Sequence, residues 1–204
     1  MKLLREIPKF CEQTEKKLLN LGWKKLKEPK NLFSAIILSI PLMILLGIIS
    51  LNIMLLFNKN MLNNMFEAFN NGKFTFTINL FSILGILLLL IVHELIHLIL
   101  IPNFISSKKT YLGLTWFGGF VYSSDKIKKE RYLLITIAPY VVISVLLPTI
   151  FGLTGLLNKH SMFLIFLNAI SSSVDILNLF LILTQVPNGS LLIQNGDRTY
   201  FAPR

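Results

Sequence analysis

Apolar positions in this chain fall into four long blocks instead of recurring on one helical face. Leu32 to Phe57 carries no charge over more than the ~20 residues that span a bilayer. Phe76 to Ile101 is as long, and its only ionisable residues are two histidines and a glutamate. Leu133 to Leu157 is uncharged and holds Pro139, Pro148, Gly152 and Gly155, which predicts a kinked span. Met162 to Leu183 is apolar apart from Asp175 and scattered Asn and Ser. A soluble helix keeps one polar face, whereas these blocks are apolar all round. The pattern predicts an all-α membrane protein with four transmembrane helices at 32–57, 76–101, 133–157 and 162–183. They form one membrane domain over 32–186, between an N-terminal segment (1–31) and a C-terminal tail (187–204).

The intervening stretches are less uniform. "TYLGLTWFGGFVYSS" (Thr110 to Ser124) is rich in β-branched and aromatic residues around a Gly-Gly pair, which predicts a β-hairpin between the second and third spans. Its apolar character suggests that it dips into the membrane, where its backbone needs protein or a water-filled cavity beside it. In the N-terminal segment, Phe10, Leu18, Leu21 and Trp23 fall near helical spacing among lysines. That fits a short helix on the inner membrane surface or a solvated leader.

Charge adds an orientation. The chain of 204 residues has a net charge of +10, and the segment before the first span holds nine of its Lys and Arg. The loop from Asn103 to Tyr132 holds six more, whereas the loop from Asn58 to Thr75 has only Lys59 and Lys73. Positive residues favour the cytoplasmic side, so both termini and the long second loop are expected there, in a bacterial cell membrane. The basic residues flank spans and form no nucleic-acid motif, so anionic lipid headgroups are their expected partner and nucleic acid is not. No small-residue cleavage site follows the first block, so no removable signal peptide is expected. The single cysteine, Cys11, can form no internal disulfide.

The chemistry lies in "IVHELIHLIL" (Ile91 to Leu100). Helix positions four apart are offset by only ~40° and lie one turn apart, so His93 and His97 share a face. Two imidazoles so placed can grip one zinc ion, with Glu94 beside them as general base, the H-E-x-x-H arrangement of metalloproteases. An ionised acid at membrane depth costs ~2.5–3.5 kcal/mol on insertion scales, and no Lys or Arg occurs within the four blocks to offset it. A metal cation would compensate. A catalytic zinc takes three protein ligands and keeps a position open. His160 and Glu67 fall on the wrong side of the membrane, and Asp125, Glu130 and Asp197 lie in polar segments. Asp175 is the remaining acid within the membrane, at similar depth to the motif, with Asp125 and Glu130 next if the loop folds back. Asn168, Ser171, Ser172, Asp175 and Asn178 make a polar stripe, from which Asn168 is placed to donate to substrate or to a developing oxyanion.

"HELIHLILIP", the Gly-containing hairpin, "RYLLITIAPY" opening the third span and "NAISSSVDI" in the fourth together resemble bacterial membrane proteins catalogued as zincin peptidases. They also look like a compact relative of the site-2 proteases, which are intramembrane zinc metalloproteases. The resemblance runs from about Leu80 to the C-terminus. It implies His93, His97 and Asp175 as zinc ligands, Glu94 as base and the hairpin as a wall of the substrate cleft. Site-2 proteases often carry Leu-Asp-Gly around the third ligand, whereas Val174-Asp175-Ile176 lacks the glycine.

The expected activity is hydrolysis of a peptide bond in a membrane-associated polypeptide, presented as an added strand on the hairpin edge. A metal-binding transporter or sensor without catalysis is the alternative, disfavoured by Glu94, and a purely structural bundle predicts no bound metal. The charge skew sets a test of topology. Tags at either terminus or near Lys109 are expected to be accessible only from the cytoplasm, and one near Asn64 only from outside; termini on opposite faces would break the assignment.

Overall fold

The computed structural model describes residues 2–4, 6, 8–58, 70–72, 80–115 and 118–202. In chain order its elements are β1 (Lys2–Leu4), α1 (Glu12–Asn20), β2 (Lys24–Lys25), α2 (Leu32–Phe57), α3 (Leu80–Leu100), β3 (Thr110–Thr115), β4 (Gly118–Ser123) and β5 (Ile127–Lys128). There follow α4 (Lys129–Leu153), α5 (Lys159–Gln185), β6 (Leu191–Asn195) and β7 (Arg198–Ala202). Helices α2 to α5 are each long and apolar enough to cross a membrane. The expected start of the second span, 76–79, lies outside the described residues.

Polar residues mark where these helices begin. Asn31 accepts from the backbone N–H of Ser34 at 2.8 Å, and Ser34 Oγ accepts from that of Asn31 at 3.2 Å, a reciprocal cap on α2. Asn158 and Ser161 cap α5 in the same way, both bonds at 3.0 Å. Many apolar side chains on α2 and α3 face outward, such as Ile44 (59% exposed) and Leu88 (62%). Such a surface is compatible with a multi-pass membrane protein.

Two of the four helices are irregular where they approach each other. The expected kink in α4 is a π-helical stretch, Tyr140–Leu146, between Pro139 and Pro148. In α5 the first run ends at Ser171 and a second begins at Ser173. The hydroxyls of Ser171 and Ser172 both donate to the Asn168 carbonyl, at 3.1 and 2.8 Å, competing with the regular helix bond there. Buried Lys129 locks the start of α4 to the end of α5 by donating to the Val186 carbonyl (2.6 Å) and to Asn188 Oδ1 (3.0 Å).

The chain is not all-α beyond the single hairpin. Strands β3 and β4 pair antiparallel from Thr110↔Ser123 to Thr115↔Gly118, and β1 adds parallel to β3. A second sheet runs β2-β7-β6-β5, so the expected tail is a folded hairpin. Its two-residue loop begins with Gly196 at φ 64°, where a type II′ turn places glycine, and a Cβ there would also crowd the Phe10 backbone. The amphipathic residues of the N-terminal segment also find protein. Leu18 and Trp23 bury against Tyr200 of β7, Phe10 lies 3.8 Å from the Arg198 guanidinium, and Leu21 stays exposed. The two terminal segments therefore form one base beneath the helices, joined to α5 by a cluster of Leu26, Ile182, Val186, Leu192 and Phe201.

Glu28 sits where that base meets α2. Its Oε1 accepts from the Thr199 N–H at 2.6 Å, and burial pushes the carboxyl up to about 7. The folded value lies above the ordinary 4.5, so between those two values the native chain keeps a proton that the unfolded chain has released. Stability from this group therefore falls as pH rises through the window. Glu28→Gln is expected to melt higher relative to the parent at pH 8 than at pH 5, by thermal denaturation in detergent. A difference constant across that range would refute the assignment.

Candidate metal centre

His93 and His97 project from the same face of α3, as their spacing requires, with ring centroids 5.0 Å apart. Asp175 reaches them from α5. His93 Nε2 lies 3.2 Å and His97 Nε2 3.5 Å from the same carboxylate oxygen, Oδ2. One ligand atom from each of the three residues falls within 4.8 Å of the others. The break at Ser172 makes Asp175 a first-turn residue of the restarted helix, where the N-terminal dipole favours a negative side chain.

The opposite ring nitrogens show which atoms carry protons. His97 Nδ1 lies 2.8 Å from the carbonyl of Ile135. In a regular helix that carbonyl would accept from residue 139, but Pro139 has no N–H to give it. A carbonyl only accepts, so His97 Nδ1 is the donor. His93 Nδ1 lies 2.9 Å from Asn168 Oδ1. The Asn168 amide is held in that orientation because its Nδ2 donates to the Pro139 carbonyl (3.3 Å) and to Ser144 Oγ (2.9 Å). Ser144 in turn donates to the Ile165 carbonyl at 3.2 Å. Both rings thus hold a proton on Nδ1, which leaves the two Nε2 lone pairs aimed at a carboxylate.

Three acceptors that converge in this way repel one another unless a cation lies among them, either a metal ion or an added proton. Two imidazole nitrogens and a carboxylate oxygen are a ligand set suited to zinc, and the Nδ1 partners are those that orient metal-bound histidines. The residues present therefore fit a zinc ion.

Glu94 stands beside this group on the wall of a cavity of ≈ 540 Å³, which His93, His97 and Asp175 also line. Among the described residues no Lys or Arg lines it. Strand β4 passes directly over Glu94, and a Cβ on Gly119 would come within 3.2 Å of its Oε1. The Gly-Gly pair that signals a turn in the sequence thus has a second use, since one of its members lets the strand approach the acid.

The structure brings His93, Glu94, His97 and Asp175 together and leaves the other acids apart. Asp125 is hydrogen-bonded by Ser107, and Glu130 accepts from the Gly189 N–H at 3.0 Å. Asp197 lies in the β6–β7 turn, and His160 packs edge-on against Phe81, 5.7 Å between centroids. Glu67 lies outside the described residues. Asn168 differs from its expected place facing substrate: it is fully buried, with both ends of its amide committed within the protein. Asn178 of the polar stripe also lines the cavity, whereas Tyr132 and Gln194 on the same wall go unread in the sequence. Gln194 is held between the Ser123 N–H (3.2 Å) and the Tyr132 hydroxyl (3.0 Å). The Asn195-Gly196 pair between apolar runs was a usable hairpin signal that would have brought Gln194 into view.

Residues 86–191, just over half of the chain's 204, match the model of a family described as "Putative zincin peptidase". The chain belongs to that family, whose description denotes a zinc-dependent peptidase. The matched stretch contains all four residues gathered at the centre. No curated protein and no solved structure matches the chain.

Removing either kind of support has a direct readout. Asp175→Ala is expected to lose zinc in elemental analysis, and Asp175→Asn to retain the fold while holding the metal more weakly. Asn168→Ala, which frees the His93 ring, is expected to weaken retention by roughly 10–100-fold in chelator competition. Parent-like retention by Asp175→Ala would place the third ligand elsewhere.

Proposed function

We propose that the chain is an intramembrane zinc metallopeptidase, similar to the site-2 proteases, that cuts membrane-associated polypeptides near the cytoplasmic face. The observation that carries this reading is the convergence of two Nε2 lone pairs and the Asp175 carboxylate beside an acid that is not itself part of the cluster. In it His93, His97 and Asp175 hold the zinc. Bound there, zinc would bring the pKa of a coordinated water to about 7 and polarise the peptide carbonyl.

Glu94 is the base. One of its carboxylate oxygens takes a proton from the attacking water and later passes it to the leaving amine nitrogen, a role a non-ligand carboxylate at this position can fill. Asn168 and the Ile135 carbonyl keep the two rings in the tautomer and orientation that leave Nε2 free. Among the described residues strand β4 is the last strand of its sheet, and Gly118 to Val121 line the cavity. An extended polypeptide adding to this edge would run past Glu94 at Gly119, its backbone open to attack in a way that a helical one is not. In the membrane setting the hairpin lies within the cytoplasmic leaflet, where the cavity and the helices shelter its backbone. Both termini, with their folded base, are cytoplasmic, and the lysines around them meet anionic headgroups.

Glu94→Gln separates metal holding from chemistry. The variant is expected to retain zinc like the parent and to lose cleavage of reconstituted model membrane peptides by more than about 10²-fold. Turnover retained by the variant would sink the proposed mechanism. A parent chain that holds zinc and cuts no peptide would point to the metal-binding alternative.

A further inference from the structure

A second cavity, of ≈ 280 Å³, adjoins the catalytic one. The two share Val121, Tyr132, Asn178 and Gln194 as walls. Its far side comes from the segment before α2 and the β6–β7 turn, so it lies on the face of the helices that carries both termini. It is the route by which a chain lying along β4 from Gly119 towards Tyr122 would leave the centre.

Glu28 lines this cavity, and packing does not explain its charge. Thr199 donates its backbone N–H and its hydroxyl to the carboxyl, bonds that a glutamine oxygen would accept equally well. Among the described residues Glu28 makes no ion pair; the pairs present are His93–Asp175, His97–Asp175 and Arg198–Glu15. Asp197, on the same wall, adds a second negative charge, which works against ionisation of Glu28. Lys25 acts on it only through its field, and Lys30 lines the cavity with its side chain exposed. A mostly buried carboxylate of this kind is destabilising until a cation comes to it. Asn178, on the shared wall one turn beyond Asp175, has no hydrogen-bond partner among the described residues and offers an amide to whatever passes.

We propose that the second cavity is a specificity subsite for a Lys or Arg side chain of the substrate, paired with Glu28 and helped by Asp197. This rests on the peptidase reading above. The occupant follows from charge complementarity and from the origin of the substrate. Membrane polypeptides concentrate Lys and Arg on their cytoplasmic flank, the same skew that orients this chain, so a substrate's basic residues arrive on the side where this cavity lies. At ~3.3 Å per residue along a strand, the cavity receives a side chain a few residues from the bond over Glu94.

Binding without turnover tests the subsite. The zinc-loaded Glu94→Gln chain in detergent micelles would be titrated with fluorescent Leu/Ala transmembrane peptides. Each carries one Lys, norleucine or Glu at a position scanned along its flank. In one register the Lys peptide is expected to bind roughly tenfold tighter than the norleucine peptide, the scale of one charge-assisted hydrogen bond, with the Glu peptide weakest. Adding Glu28→Gln is expected to abolish that preference while sparing the norleucine peptide's affinity; Glu28→Asp, which keeps the charge, should retain part of it. No register with a preference for Lys, or a preference that survives Glu28→Gln, overturns the proposal. Cleavage of the same peptides by the parent chain is scored separately. Discrimination without cutting upholds the subsite and removes the peptidase, whereas cutting without discrimination does the reverse.

Discussion

Everything at this centre follows from the intolerance of an apolar interior for polar groups without partners. Two histidines, two acids and a proline-freed carbonyl lie within helices whose outer faces are hydrocarbon-like, with no Lys or Arg on the cavity wall among the described residues. In such surroundings each donor must find an acceptor, and each negative charge a positive one. The carbonyl that Pro139 cannot serve takes the His97 proton, and Asn168 takes that of His93. What is left over is a set of lone pairs facing one another, which a single divalent cation resolves. The same reasoning accounts for the Ser144–Asn168 chain behind the rings, a buried polar network whose members each find a partner.

The four helices were legible in the sequence because length and composition suffice to identify them, and His93, Glu94 and His97 because helical spacing is fixed. Asp175 could be reached by elimination among few acids. Asn168 was legible as a polar residue on the right face but not in its orientation, since that depends on Ser144 and on the Pro139 carbonyl from another helix. The base of the molecule was read least well. β2 and β5 are two residues long and acquire their conformation only from pairing with β7 and β6. Leu18 and Trp23 look alike to composition whether they meet lipid or Tyr200. Short strands and small clusters are tertiary outcomes, and periodicity carries little of them.

The irregular stretches of α4 and α5 show why the centre sits where it does. An α5 uninterrupted at Ser172 would present Asp175 in mid-helix; the interruption places it in the first turn of the run that begins at Ser173. An α4 without Pro139 would have no carbonyl to spare for His97. Prolines and serines that reduce helix stability in isolation thus create, within a bundle, the acceptor and the local field that the ionisable residues need.

The centre is also distributed along the chain in a way that orders its assembly during synthesis. The histidines emerge on α3, the Ile135 carbonyl follows on α4, and Asn168 and Asp175 arrive on α5. The β6–β7 hairpin that walls the adjoining cavity comes last of all. A nascent chain with only α2 to α4 formed therefore carries Glu94 and both imidazoles but lacks the carboxylate that gathers them. Under the function proposed above, the ribosome-bound protein thus has no finished centre with which to attack its own unfolded segments.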